Sequence, residues 1–166
     1  MQIITASEPL VIPNANTSLF LAGSIEQGKA ENWQDKVIRL LRESPQSDTI
    51  TLLNPRRAAW DASWEQSIDN PQFKEQVSWE LDALEQAKVI LFYFDPSTKS
   101  PISLLELGLY ANTDKTVLVC CPVGFWRKGN VDIVCERYGV QQFEGLEEMV
   151  EWFYSFPENN QEHLKQ

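Results

Sequence analysis

The stretch SPISLLELGLY, residues 100–110, places a single carboxylate, Glu106, among leucines. An ionised carboxylate is costly to remove from water unless it is hydrogen-bonded, paired with a charge or used in a reaction. Ser103 and Glu106 have the Ser-x-x-Glu spacing of a capping box, in which both side chains bond backbone N–H groups at a helix start. The same position would suit a nucleophile, because a helix dipole favours an ionised carboxylate near the N-terminus. Both interpretations are open on sequence alone.

Two further acidic residues are candidates for a role in the chemistry. Glu80 is beside the apolar stripe of its helix, so it is either a solvated helix-edge residue or a second reactive carboxylate. Asp95 follows an apolar run in FYFDPST, where Asp-Pro commonly starts a turn and where ligand-binding groups also occur. The only histidine, His163, is in the polar tail, which argues against histidine catalysis and histidine metal sites. Carboxylates are therefore the expected reactive groups.

A long segment, residues 54–72 (NPRRAAWDASWEQSIDNPQ), follows the second predicted strand. Long connections in compact domains are commonly functional. Trp60 and Trp64 either cover the end of the sheet or form a stacking platform for a base or sugar, and Asp61 between them favours the platform. The two arginines at the start of the segment either bind a phosphate or form ion pairs that order the loop.

The first apolar strand leads into AGSIEQGKAEN, residues 22–32. This stretch has too few glycines for a dinucleotide fingerprint and lacks the Gly-Lys-Ser/Thr of a P-loop. We therefore expect Gly23 and Ser24 to allow a close backbone approach rather than to cradle a phosphate.

Strands and helices alternate along the chain, and they must position these side chains. The periodicity predicts strands at residues 18–23, 48–55, 88–94 and 115–121 with a short strand near 131–139, and helices at 30–43, 73–87, 103–111 and 145–156. This order predicts a single α/β domain over residues 1–156 with a mainly parallel, roughly five-stranded sheet, followed by a polar tail at 157–166. Ligands bind such sheets at the carboxyl ends of the strands, near the switch point in strand order.

Composition excludes several classes of partner. The chain has 166 residues and a net charge of -10, which argues against binding to nucleic acid or to an anionic membrane surface. No apolar run approaches the roughly 20 residues that span a bilayer, and the amino-terminal stretch has no secretory signal pattern. The three cysteines lack Cys-x-x-Cys spacing and are expected to fill the core, which predicts a reducing compartment and a cytoplasmic location.

Four stretches together resemble the nucleoside 2-deoxyribosyltransferases and their close relatives: LFLAGSI, NPRRAAWD, FKEQVSWELDALEQAKVILFYFDP and SPISLLELGLY. They occur in the family's order between Leu19 and Tyr110. The resemblance implies a flavodoxin-like or Rossmann-like three-layer α/β sandwich that exchanges the base of a 2'-deoxyribonucleoside without a metal or organic cofactor. It also implies nucleosides and free nucleobases as partners, and a homo-oligomer whose active sites share residues between subunits.

The resemblance also implies roles for individual residues. Glu106 matches the Glu of the family's ELG motif, a nucleophile that attacks the anomeric carbon and forms a glycosyl ester that a second base opens with retention. Glu80 matches an acidic residue, Asp in better-known members, that contacts the base and helps to protonate it. Phe20 matches a position that often carries a Tyr in contact with the nucleophile. The other expected substrate contacts are Gly23, Ser24, Trp60, Asp61, Trp64 and Asp95.

Two other functions remain open at this point. A nucleoside or nucleotide N-glycoside hydrolase of the same fold would differ only in letting water, instead of a base, reach the covalent intermediate. A nucleotide-binding or sensing domain would keep the pocket without turnover, and Glu106 would then serve as a helix cap.

Overall fold

The computed structural model describes residues 1–6, 8–25, 32–57 and 63–155. Strands and helices alternate along these ranges, which confirms the predicted α/β class. The strands are β1 (Gln2–Thr5), β2 (Thr17–Gly23), β3 (Ile50–Asn54), β4 (Val89–Tyr93), β5 (Thr116–Cys120) and β6 (Gln141–Phe143). The helices are α1 (Trp33–Arg42), α2 (Pro71–Gln86), α3 (Pro101–Tyr110), α4 (Lys128–Tyr138) and α5 (Leu146–Ser155).

The strands form one parallel sheet in the order β1-β3-β2-β4-β5-β6. From β2 the chain moves outward to β3 and then crosses back to β4, so the strand order reverses between β2 and β4. At the carboxyl end of this junction Gly23 is paired with Tyr93. The junction is the switch point, where α/β sheets of this kind bind their ligands.

Helices cover both faces of the sheet and make a three-layer sandwich. Helices α1 and α5 pack on one face, where Trp33 and Met149 are fully buried. Helices α2, α3 and α4 pack on the other face. Successive residues of β4 alternate between the two apolar clusters, as the continuous apolar run at 88–94 predicts for a central strand.

Three elements differ from the prediction, and the sheet has six strands instead of roughly five. Strand β6 was not predicted, since only Phe143 of its three residues is buried. The short strand predicted near 131–139 is wrong, because these residues belong to α4, in which Val131 and Cys135 are buried at helical spacing. The β-branched residues in VDIVC favoured a strand, but packing at the 3.6-residue period decides the structure. Strand β1 was not predicted, since at the sheet edge only Ile4 of its four residues is fully buried.

The helices in the described ranges include none that is long and apolar enough to cross a membrane. Within the same ranges, His, Cys, Asp and Glu side chains form no group that could hold a metal ion. The three cysteines, Cys120, Cys121 and Cys135, are buried as free thiols in the core, where the sequence placed them.

Candidate active site

Glu106 lies in the second turn of α3 and not at its start. The helix begins at Pro101 with Ser100 as its N-cap, so Ser103 and Glu106 are both inside the helix and share its buried face. The capping-box interpretation is therefore wrong, because neither side chain is at the helix end whose N–H groups a box would bond. Glu106 is 8% exposed, which leaves its burial to be explained by something other than capping.

The start of α3 is set by Ser100 and Pro101. Proline is favoured at the first helical position because it has no N–H to leave unbonded there and its φ is already helical. Ser100 has a φ of +46°, the left-handed region that non-glycine residues rarely occupy. Its side chain makes no capping hydrogen bond. Its hydroxyl lies instead 2.5 Å from Ser24 Oγ and 2.8 Å from Thr98 Oγ1.

Ser24, Thr98 and Ser100, here called the hydroxyl cluster, tie the start of α3 to the ends of β2 and β4. All three are buried. Ser24 Oγ accepts the backbone N–H of Asp95 at 2.9 Å and the Thr98 hydroxyl at 2.8 Å. The cluster therefore fixes the position of α3, and with it Glu106, relative to the switch point.

Gly23 allows a close approach, as the sequence predicts, but the group that approaches belongs to the protein. Its φ is +150°, and a Cβ there would lie 2.9 Å from the ring of Trp33 and 3.0 Å from the backbone nitrogen of Tyr93. The first distance is too short for a Cβ, the second is tight, and a side chain is also strained at this φ. Glycine at this position is thus required for β2 to end between β4 and α1.

Glu80 projects from α2, which packs on the same face as α3, and it is half-buried. Its Oε1 accepts a hydrogen bond from Gln76 Nε2 at 2.8 Å. Burial raises the pKa of Glu80, and the hydrogen bond from Gln76 opposes that rise. The structure thus places Glu80 at a half-buried position and not on a fully solvated helix edge.

Glu80 and Glu106, here called the carboxyl pair, interact electrostatically. Burial raises the pKa of Glu106 to about 8, and the charge of Glu80 acts in the same direction. Two desolvated carboxyls that repel each other do not both ionise readily, so Glu106 keeps its proton to a higher pH than an ordinary glutamate does. The expectation that the helix dipole keeps Glu106 ionised is wrong, because the residue is beyond the first turn and buried.

Tyr110 is a neighbour of the pair that sequence reasoning missed. It lies one turn after Glu106 on α3, and its pKa is raised by burial and by the charges of Glu85 and Glu106. The i,i+4 spacing from Glu106 was the signal that could have found it. Phe20, predicted near the nucleophile, is fully buried between the sheet and the α2–α3 layer and has no hydroxyl to offer a carboxylate.

Asp95 forms the turn that its Asp-Pro sequence predicts. It is 8% exposed, and its Oδ1 accepts the backbone N–H and the hydroxyl of Ser97 at 2.8 and 2.6 Å. The residue also belongs to the switch point, since its own N–H bonds Ser24. A contact between Asp95 and a substrate stays a prediction.

The segment after β3 is described only in part. Trp60 and Asp61 lie outside the described residues. Trp64 is described, and the guanidinium carbon of Arg57 lies 5.5 Å from the centroid of its ring. Arg56 Nη1 donates to Gln34 Oε1 at 3.4 Å. Across the part of the chain that can be followed, neither arginine forms the ion pair that one interpretation predicted.

Three buried polar atoms lack a partner among the described residues: Gln34 Nε2, Arg57 Nη1 and Gln76 Oε1. They share a location, because Gln34 contacts Arg56 and Gln76 donates to the carbonyl of Pro55 at 3.0 Å. An unsatisfied buried polar atom costs about 1–3 kcal/mol, so such groups usually meet a water or a ligand. The carboxyl end of β3 therefore belongs to the candidate site.

The sequence model of the family described as nucleoside 2-deoxyribosyltransferase like matches residues 16–125. The chain belongs to this family. The matched region begins before β2 and ends after β5, so it contains the switch point, the hydroxyl cluster and the carboxyl pair of this nucleoside 2-deoxyribosyltransferase-like protein.

No curated protein matches the chain. A conserved protein from Enterococcus faecalis V583, solved as a crystal structure, is similar to it with a TM-score of 0.61 and 13% identity. That similarity covers 85% of this chain and 99% of the other, and it shows the fold alone. RosB, solved with the bound intermediate OHC-RP, covers 77% of this chain and 62% of its own at 15% identity; its TM-score of 0.40 supports no inference.

Proposed function

We propose that the protein is a nucleoside 2-deoxyribosyltransferase that exchanges the base of a 2'-deoxyribonucleoside through a covalent intermediate on Glu106. The observation that supports the proposal is the carboxyl pair, in which Glu80 and Glu106 come from helices on the same face of the sheet in a family member and the charge of Glu80 raises the pKa of Glu106. A retaining double displacement needs one carboxylate to attack carbon and another group to carry a proton.

The reaction balances with these two groups alone. In the first step an oxygen of ionised Glu106 bonds to the anomeric carbon, the carbon–nitrogen bond breaks, and the leaving base takes the electron pair of that bond with a proton from Glu80. In the second step a nitrogen of the incoming base attacks the same carbon, the glycosyl ester breaks, and Glu80 takes the proton that this nitrogen loses. Two inversions give overall retention.

Incubation with deoxyinosine and adenine tests the proposal. A transferase yields deoxyadenosine and hypoxanthine, whereas a hydrolase yields free deoxyribose and hypoxanthine; free sugar as the only sugar product would rule out the transferase. The Glu106→Gln variant, with its fold checked by circular dichroism, is expected to lose turnover. Mass spectrometry of acid-quenched wild-type protein should then show one deoxyribosyl group on the peptide that contains Glu106. A non-catalytic domain would show neither product nor adduct.

The proposal includes a homo-oligomer, which is supported by the outer face of α3. Ile102, Leu105 and Leu109 are 60%, 61% and 54% exposed on this face. The only charged residue of the helix is Glu106, which is buried. Contiguous exposed apolar residues of this kind indicate a protein contact. A second copy of the chain is the partner that the family resemblance implies, and residues supplied by it would complete a shared site.

A cytoplasmic location is also part of the proposal. Cys120, Cys121 and Cys135 are free, and burial raises the pKa of each thiol to about 12. Thiols with such pKa values are unreactive and fill space in the core, as is common in proteins of reducing compartments.

A further inference from the structure

Gln76 on α2 is buried beside the carboxyl pair, and neither the sequence motif nor the family assignment gives it a role. We propose that Gln76 is a positioning residue that holds Glu80 through a hydrogen bond and thereby decides which member of the carboxyl pair is protonated before substrate binds. The effect of Gln76 on catalysis rests on the proposed function, whereas its effect on the protonation of Glu80 and Glu106 does not.

The contacts of Gln76 fix the orientation of its amide. The side chain is 2% exposed, and Nε2 donates to Pro55 O at 3.0 Å and to Glu80 Oε1 at 2.8 Å. A backbone carbonyl only accepts, so the atom that faces Pro55 must be the nitrogen. An amide nitrogen carries two N–H groups, and both are used by these two contacts.

The opposite end of the amide supports the same conclusion. Among the residues that the structure describes, Gln76 Oε1 has no hydrogen-bond donor although it is buried. Turning the amide over would satisfy nothing, because its oxygen would then face the carbonyl oxygen of Pro55. The side chain therefore keeps an unsatisfied acceptor in order to direct two N–H groups at Pro55 and Glu80.

The N–H bond to Glu80 favours the ionised form of that carboxyl. The titratable group that interacts with it is Glu106 from α3, and Glu106 in turn acts on Tyr110 of the same helix. With Glu80 ionised, its negative charge raises the pKa of Glu106, so the proton of the pair rests on Glu106.

Base displacement needs the opposite arrangement, with Glu106 ionised and Glu80 protonated. A ring nitrogen of the base beside Glu80 accepts a hydrogen bond only from the protonated carboxyl. Substrate binding therefore favours movement of the proton from Glu106 to Glu80. Gln76 keeps Glu106 neutral until a base is present, and it links that state to the segment after β3 through Pro55.

Replacement of Gln76 by methionine, which has a similar shape and no N–H, tests the inference. Carbon-13 NMR titration of the glutamate carboxyl groups follows both members of the pair in the ligand-free protein. In Gln76→Met the midpoint of Glu80 should rise by about one pH unit, because a hydrogen bond to a charged group is lost, and that of Glu106 should fall. Unchanged midpoints for both residues would overturn the inference.

Trp79→Phe is the matched control. It removes a hydrogen bond of the same helix, from Trp79 Nε1 to Glu8 O at 2.9 Å, and it should leave both midpoints in place. If Gln76→Met does not fold, Gln76→Asn withdraws the amide from Glu80 by one methylene group and should shift the midpoints in the same directions. A shift of equal size in the control would also count against Gln76.

The titration separates the inference from the proposed function, because it needs no turnover. Shifted midpoints in a protein without exchange activity would uphold the role of Gln76 and reject the transferase. Exchange activity with unshifted midpoints would uphold the transferase and reject the role of Gln76. In the active protein, Gln76→Met should raise kcat/KM at neutral pH, since a larger share of the free protein then has Glu106 ionised and the proton on Glu80.

Discussion

The protonation state of Glu106 sets a condition on the proposed chemistry. A pKa of about 8 means that the carboxyl is mostly neutral at neutral pH, and a neutral carboxyl does not attack carbon. Base displacement also needs a proton on Glu80, which in the free protein is the proton carried by Glu106. We therefore expect kcat/KM for base exchange to fall by up to tenfold per pH unit once this proton is lost above about pH 8. Initial rates at low substrate concentration between about pH 5 and pH 10 measure this. A rate that does not fall above pH 8 would show that this proton is not needed for base exchange.

The same burial predicts a pH-dependent cost to stability. The folded chain binds the Glu106 proton up to about pH 8, whereas the unfolded chain releases it near the ordinary pKa of 4.5. In that window the folded state holds more protons, so a rise in pH lowers the free energy of unfolding. The Glu106→Gln variant lacks this titration. Its stability advantage over the wild type should grow by roughly 1 kcal/mol per pH unit across the window.

Urea unfolding of both proteins at several pH values checks that difference. The Glu148→Gln variant is a suitable control, since it removes an exposed carboxylate from α5 and should show no growing advantage. An advantage of Glu106→Gln that stays constant from pH 5 to pH 8 would mean that Glu106 is not desolvated in the folded protein.

The two carboxyls of the proposed mechanism could be singled out from the sequence, but their ionisation could not. The ELG motif and the order of the four stretches point to Glu106 and Glu80, and their roles stay predictions. The state of Glu106 depends on its distance from the helix start, and a Ser-x-x-Glu spacing does not fix that start. Pro101 does, since proline favours the first helical position, and it moves the start of α3 two residues ahead of Ser103.

At the scale of elements, the hydroxyl cluster holds α3 against the two central strands. We expect Ser100→Ala to lower the free energy of unfolding by about 1–3 kcal/mol, because it leaves buried hydroxyls with fewer partners and keeps the strained backbone. Ser100→Gly should be less destabilising, since glycine adopts a φ of +46° without strain. Thermal unfolding of the two variants measures the difference. Equal losses would show that the backbone at residue 100 is not strained.

Helices and strands with strong periodicity were predicted nearly to their ends, whereas weakly patterned elements were not. The α4 segment contains β-branched residues, which favour a strand, although it packs as a helix. Gly139, with a φ of +67°, clearly indicates where the helix ends, whereas the residues inside it do not clearly indicate a helix. Gln76 escaped prediction because its role depends on the backbone of Pro55, which is brought to it by the fold alone.

At the scale of the whole molecule, the outer face of α3 predicts self-association. The Leu105→Glu variant places a charge in the centre of the exposed apolar stripe and should shift the protein toward the monomer by at least tenfold in dissociation constant, about 1.4 kcal/mol. Sedimentation velocity over a range of concentrations measures this. Val11→Glu is the control, because Val11 is equally exposed, at 68%, but lies between β1 and β2. Equal effects of the two variants would mean that α3 does not form the self-association contact.

The pairing of Gly23 with Tyr93 bears on how the candidate site forms during folding. Strands β2 and β4 lie side by side, yet α1, β3 and α2 separate them along the chain. Closing so long a loop is entropically unfavourable until the intervening elements have condensed, and such non-local pairing slows folding. A nascent or truncated chain that ends before β4 has neither the junction nor the carboxyl pair. The carboxyl pair therefore depends on the long-range pairing of β2 with β4 and not on any local segment of the chain.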